Sequence, residues 1–224
     1  MSLEATSIAR ALSIAGEVTV LAHDVCLRVD PGRVVGVTGP SGCGKSTVLR
    51  VVMGLDARSS GEVRLDGEVV TPPSLPEFRR RVAMVPQRLG LPDETLGDAA
   101  LPAGVSRWLE AVGLDPSVRS QTWASLSGGE ARRARIAIAC AGEPDYLILD
   151  EPTEGLDGVA ARRLADLVRS QAASGRGLLL VSHDEVFLAR TADHLVVMYD
   201  GEVQGEGAPR DLIPAAFEEA GRDG

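Results

Sequence analysis

Positive charge is scarce in this 224-residue chain: 23 lysines and arginines stand against 32 acids, a formal net charge of −9. A protein that coats nucleic acid needs a basic face to neutralise phosphates, so this balance argues against that class and leaves only a local basic patch open. Cysteine is sparse too. Cys26, Cys43 and Cys140 are odd in number and widely scattered, which fits reduced thiols in a cytosolic compartment better than a disulfide framework or a metal site. No run approaches the ~18 apolar residues of a membrane span, and the first residues lack a charged-then-apolar leader pattern. Any membrane role is therefore expected to come through a partner. Internal repeats and low-complexity segments are missing. What remains, 44% hydrophobic and 25% charged, is the composition of an ordinary soluble chain able to bury a full core, as one domain or one domain with an inserted lobe. Met1, Ser2 and Leu3 carry no weight in this reading, since they match an expression scar.

Lysine is the sharpest shortage. The 23 basic residues include a single lysine, Lys45, and it stands inside Gly39-Pro40-Ser41-Gly42-Cys43-Gly44-Lys45-Ser46-Thr47. A compact ammonium is the charge a phosphate-cradling loop calls for, whereas arginine serves ordinary surface pairs. The apolar run Arg33 to Thr38 (RVVGVT) leads straight into this loop, and Lys45 to Leu55 (KSTVLRVVMGL) follows with helical apolar spacing. Strand, glycine loop and helix in that order make a phosphate loop: glycines let backbone N–H groups face the phosphates, Lys45 reaches the β and γ phosphates, and the Ser46 hydroxyl holds Mg²⁺.

Further along, Tyr146 to Leu149 (YLIL) and Gly177 to Val181 (GLLLV) are continuous apolar runs, expected of central parallel strands covered on both faces. Asp150 closes the first of them, where a carboxylate can orient Mg²⁺. Glu151 follows, able to orient or deprotonate an attacking water. An acid pair at a strand end is also an ordinary helix cap; the neighbouring phosphate loop favours the chemical reading. Residues 125–130, SLSGGE, open a helix expected from Glu130 to about Ala141. Free N–H groups and the positive end of the helix dipole make that start a second anion site. Half-exposed strands are expected over Glu17 to Val29, a hairpin over Val63 to Val70 around Asp66-Gly67, and strands over Arg81 to Val85 and His194 to Tyr199. A helix is expected over Val159 to Ala173, a polar, partly helical stretch over Pro92 to Ala124, and a short helix with a loose tail from Pro209.

In this order the motifs resemble those of the nucleotide-binding subunits of ATP-binding cassette (ABC) transporters. GPSGCGKST is similar to that family's phosphate loop, Gln87 in MVPQ to its Q-loop glutamine, and LSGGE to its LSGGQ signature. YLILDEP resembles its Walker B segment, Gly155-Leu156-Asp157 its D-loop, and His183 in VSHD its switch histidine. The resemblance implies an α/β P-loop NTPase with a mostly parallel central sheet, an antiparallel β subdomain and a short inserted helical subdomain. It implies one ABC ATPase domain over residues 1–224. Residues 1–87 and 143–208 would form the nucleotide-binding core, 88–142 the helical subdomain, and 209–224 a C-terminal tail. The cofactors implied are ATP and Mg²⁺, with Lys45, Gln87, Glu151 and His183 in catalysis and Ser46, Gln87 and Asp150 around the metal. Two cassettes, identical or not, would pair head to tail, so that Ser127, Gly128, Gly129 and Asp157 of one serve the nucleotide held by residues 39–47 and Gln87 of the other. Closure would drive separate membrane subunits from the cytoplasmic face, with no nucleic acid involved.

The chain departs from that pattern in three places. Glu130 replaces the usual glutamine, an acid that suits a helix start but repels a phosphate if it turns inward. Only 40 positions separate Gln87 from Ser127, short for the helical lobe on which membrane subunits dock. The aromatic that usually stacks on adenine falls at Ala15, and the first aromatic of the chain is Phe78. Two other readings remain: a soluble ABC ATPase acting on DNA or ribosomes, against which the length and acidity argue, and a clamp that holds ATP without hydrolysing it, against which Glu151 and His183 argue.

Overall fold

The structure, a computed structural model, describes residues 1–14, 17–87, 96 and 101–216. Two long strands, β1 (Leu3–Ile14) and β2 (Glu17–Val29), pair antiparallel, and β3 (Val34–Thr38) leads through the glycine loop into α1 (Lys45–Val52). The hairpin β4 (Ser60–Leu65) and β5 (Glu68–Val69) follows, turning at Asp66-Gly67 as the sequence predicts. Next come α2 (Leu75–Arg81), β6 (Val82–Val85), α3 (Val105–Ala111), α4 (Gly128–Ala141), β7 (Tyr146–Asp150) and α5 (Gly158–Ala173). The chain then runs through β8 (Gly177–Val181), α6 (Glu185–Thr191), β9 (His194–Tyr199), β10 (Glu202–Gly207) and α7 (Pro209–Leu212).

These elements build two sheets. One has the order β2-β1-β4-β5 and is antiparallel throughout; the other, β10-β9-β3-β8-β7-β6, is parallel except for β10. Every residue of β3, β7 and β8 is buried, because both faces of the parallel sheet are covered. Successive residues of β3 point to opposite faces. Val35 and Val37 pack with Leu49 of α1 and with Ile8 and Val25 of the antiparallel sheet. Val34 packs on the other side with Leu164 of α5, Phe187 of α6 and Leu109 of α3. The helices α3 and α4 thus share one core with the sheet, and each fully buried Leu or Val adds roughly 1.5–3 kcal/mol.

Some expectations shift. The helix of the glycine loop ends at Val52 rather than Leu55, since Gly54 stands at φ +61° and glycine weakens a helix. The SLSGGE helix starts at Gly128, two residues early. Setting aside the first three residues is wrong: Ser2 and Leu3 are buried, the Ser2 amide donates to Asp66 Oδ1 (3.0 Å), and Arg81 bridges Asp66 and Asp145 at 2.6 Å each. Ala15 and Gly16, residues 88–91, residues 92–95 and 97–100 of the expected polar stretch, and the tail from 217 lie outside the described residues.

Candidate functional site

The glycine loop closes over the start of α1. Gly44, its last residue, has φ +99° and lies so close to β2 that a Cβ there would stand 2.1 Å from the Leu21 carbonyl oxygen; only glycine fits. A cavity of about 210 Å³ opens beside it, lined by Ser41, Gly42, Gly44, Lys45, Ser46 and Thr47 from the loop and by Leu21, Gln87 and Glu151 from three other segments. The Lys45 ammonium is buried and turned into the loop, donating to the carbonyls of Gly39 (2.7 Å) and Pro40 (2.9 Å), with the Cys43 sulfur 3.8 Å away. Ser46 Oγ donates to Asp150 Oδ1 at 3.1 Å. Burial pushes the Asp150 carboxyl above its ordinary pKa, against the Ser46 and Gln87 N–H hydrogen bonds that favour the charged form.

Glu151 is buried, and its backbone stands at φ +49°, a conformation that costs a non-glycine residue of order 1–3 kcal/mol and collects at functional sites. Its N–H is held by the Val181 carbonyl at 2.8 Å. Its Oε2 lies 2.8 Å from His183 Nδ1 and accepts from the His183 N–H at 3.3 Å. An ionised carboxylate only accepts, so this contact calls for a proton on Nδ1, and Nε2 donates as well only where the ring carries both protons. Lys45, Ser46, Gln87, Asp150, Glu151 and His183, scattered along the sequence, therefore come together at the C-terminal ends of β3, β6, β7 and β8, where open α/β sheets place their ligands.

Ser127, Gly128, Gly129 and Asp157 do not line this cavity. Ser127 caps α4 and Asp157 caps α5, its Oδ1 accepting from the Ala160 N–H at 2.8 Å. The two turns lie against each other: a Cβ on Gly129 would sit 2.9 Å from the Gly155 carbonyl oxygen. Glu130 has turned inward. Its Oε2 accepts from the Ser127 N–H (2.9 Å) and hydroxyl (2.8 Å), while Ser127 Oγ accepts from the Glu130 N–H (3.3 Å). These bonds hold the Glu130 carboxyl below its ordinary pKa. The result is a reciprocal capping box.

Sequence reasoning missed Arg132. Buried on α4, it donates to the Gln87 carbonyl (3.0 Å) and to the Glu151 carbonyl, and pairs with Glu154 at 3.0 Å. One guanidinium thus ties the SLSGGE helix to the segments bearing Gln87 and Glu151. The available signal was an arginine among the small apolar residues of α4, where a buried cation requires partners. A larger cavity, about 430 Å³, lies at the far end of α1 between Gly54, Arg58, Val70 and Leu75, and holds none of the predicted site residues. Among the described residues no helix is long and apolar enough to cross a membrane.

The ABC transporter family model matches residues 22–154. The chain is 37% identical over 207 residues to the energy-coupling factor transporter ATP-binding protein EcfA2 of Symbiobacterium thermophilum, covering 85% of this chain and 72% of that one. It is 37% identical over 212 residues to the Fe(3+) ions import ATP-binding protein FbpC 2 of Rhodococcus jostii, covering 88% of this chain and 60% of that one. Among solved structures it resembles an ATP-binding cassette captured as a dimer in a post-hydrolysis state with ADP and Pi, with a TM-score of 0.83, 25% identity, and coverage of 93% of this chain and 99% of that one. The chain belongs to the ABC transporter family and carries the fold of its ATP-binding cassettes.

Proposed function

We propose that this chain is the ATP-binding and ATP-hydrolysing subunit of a transporter, working as a homodimer or heterodimer of cassettes on separate membrane subunits, at the cytoplasmic face and without nucleic acid. The observation that carries this reading is the convergence of Lys45, Ser46, Gln87 and Glu151 on one cavity, with Asp150 bonded to Ser46 and His183 to Glu151. The relatives' names support the transport half.

Lys45 exchanges its two loop carbonyls for the β and γ phosphates of ATP, a better partner for a buried ammonium. Ser46 and Asp150 present two oxygens to one point, with Gln87 beside them. That set fits Mg²⁺, which takes one or two protein oxygens and completes its shell with phosphates and water; among the described residues no cluster of three or more His, Cys, Asp or Glu would hold a metal unaided. When bound, Mg²⁺ neutralises charge developing on the phosphate oxygens. Glu151 takes a proton from the attacking water, and His183, when its ring carries both protons, hydrogen-bonds the γ phosphate through Nε2. Gln87 couples the site to the helical subdomain, 88–142, inserted between core segments 1–87 and 143–208. Ser127, Gly128, Gly129 and Asp157 of the second cassette complete the phosphate's donors in trans.

The test is Glu151→Gln. It keeps every phosphate donor and removes the base, so it binds ATP with Mg²⁺, hydrolyses it far more slowly, and accumulates as a nucleotide-bound dimer in light scattering. A variant that stays monomeric and turns over at the wild-type rate overturns the assignment.

A further inference from the structure

Where the end of α3 meets α4 and the start of α5, a separate cavity of about 160 Å³ is lined by Val112, Gly113, Arg133, Asp157, Ala160 and Arg163, with Val159 at its edge. It shares no lining residue with the glycine-loop cavity. Its charge is unbalanced. Neither Arg133 nor Arg163 has a hydrogen bond or a close ion pair among the described residues; Arg133 feels the Glu130 carboxylate one turn back on α4, and its buried Nε has no hydrogen-bond partner. Other arginines of the same helices are matched: Arg132 pairs with Glu154, and Arg169 with Asp193. The one acid on the cavity, Asp157, has Oδ1 committed to the Ala160 N–H.

The seat of Arg163 is built into the backbone. Gly113 stands at φ +73°, and a Cβ there would lie 2.4 Å from Arg163 Nη1, so the missing side chain leaves room for the guanidinium. Two guanidinium forks and the positive end of α5 facing a concave space favour an anion. Two guanidiniums, with five N–H donors each, can saturate the roughly four lone-pair sites of a carboxylate, whereas a phosphate offers more acceptors to both and a charge that offsets both arginines.

We propose that this cavity is a binding site for a small free oxyanion, inorganic phosphate fitting it best. A filled site ties α4, through Arg133 one turn beyond Gly129, to Arg163 in the first turns of α5, beside the end of α3, joining both turns assigned to the partner's nucleotide into one body. Binding to the isolated chain does not depend on ATP turnover, so the site stands or falls apart from the proposed function.

The experiment titrates inorganic phosphate into the ¹⁵N-labelled, nucleotide-free full chain at constant ionic strength, chloride being replaced. The amides of Gly113 and Ala160 are expected to shift saturably, and separately from those of Gly42 and Gly44. In Arg163→Ala, and in Arg133→Gln as a second variant should the first fold poorly, the Gly113 and Ala160 response weakens at least tenfold while the glycine-loop response is kept. Silence at Gly113 and Ala160 while the glycine loop responds overturns the proposal, as does an unchanged midpoint in the folded variants. An acetate titration that moves the same amides at the same concentration overturns the preference for phosphate.

Discussion

Glu130→Gln isolates the charge that stands at the SLSGGE helix start. In the wild type the Glu130 carboxylate already takes the Ser127 N–H and hydroxyl, the hydroxyl being one that the partner's γ phosphate would need. Glutamine keeps a side-chain oxygen for the capping box and loses the negative charge. Two unit charges about 4 Å apart repel by ~1 kcal/mol at the dielectric of water, and by more once the interface closes. A homodimer has two such sites, so the substitution is expected to strengthen ATP-driven pairing by about 2 kcal/mol, roughly thirtyfold in the dimer dissociation constant. Sedimentation equilibrium in the presence of ATP, with Glu151→Gln in both proteins to prevent turnover, measures this directly. Pairing that is unchanged or weaker in Glu130→Gln refutes the reasoning and makes the carboxylate an aid to closure. The same bonds set a pH dependence. Because the Glu130 pKa is lowered in the folded chain, its contribution to stability is complete above the unfolded value near 4.5 and is lost as pH falls through the lower folded value. Thermal unfolding of wild type and Glu130→Gln should therefore differ more at pH 6 than at pH 3.

Lys45→Ala should abolish ATP binding by the isolated chain, whereas Ser127→Arg should spare it and block ATP-driven pairing. Titrations on monomers decide, and loss of monomer affinity in Ser127→Arg would place that serine in cis. Arg132→Gln removes a buried cation from the Gln87 and Glu151 carbonyls, leaving acceptors without donors at about 1–3 kcal/mol each; chemical denaturation should show a loss of at least 2 kcal/mol, and a loss under 0.5 would deny Arg132 its structural role. With no ring at Ala15, ATP and GTP should compete within about tenfold, roughly 1.4 kcal/mol, and Ala15→Tyr should tighten ATP, since stacking on a base contributes about 1–3 kcal/mol. A hundredfold wild-type preference for ATP would assign the selectivity to hydrogen bonds with the base.

What could be read in advance was whatever neighbouring residues decide among themselves. β3, β7 and β8 announce themselves as unbroken apolar runs, and the glycine loop as a motif whose conformation glycine alone permits. β1 stayed hidden because its alternation is broken: Ser7 sits at φ +50°, and the pairing with β2 shifts register between Ala5 and Ile8 and again between Ile8 and Ala11, so no period of two survives in LEATSIARALSI. Arg132 stayed hidden for a different reason. Its partners Gln87, Glu151 and Glu154 are 45, 19 and 22 residues away, and only packing brings them to α4.

Ser127 and Asp157 show a subtler limit. SLSGGE, read in the sequence as an anion site, is also a helix cap, and the described chain uses both Ser127 and Asp157 as caps, each with its oxygen engaged within its own turn. The Ser127 hydroxyl already donates to a charged acceptor, the Glu130 carboxylate, a bond worth roughly 1.5–3 kcal/mol. Under the proposed function, a γ phosphate presented by a second cassette would exchange that acceptor for another charged one, and an exchange of like for like would cost little, which would let the closed state reopen once phosphate leaves.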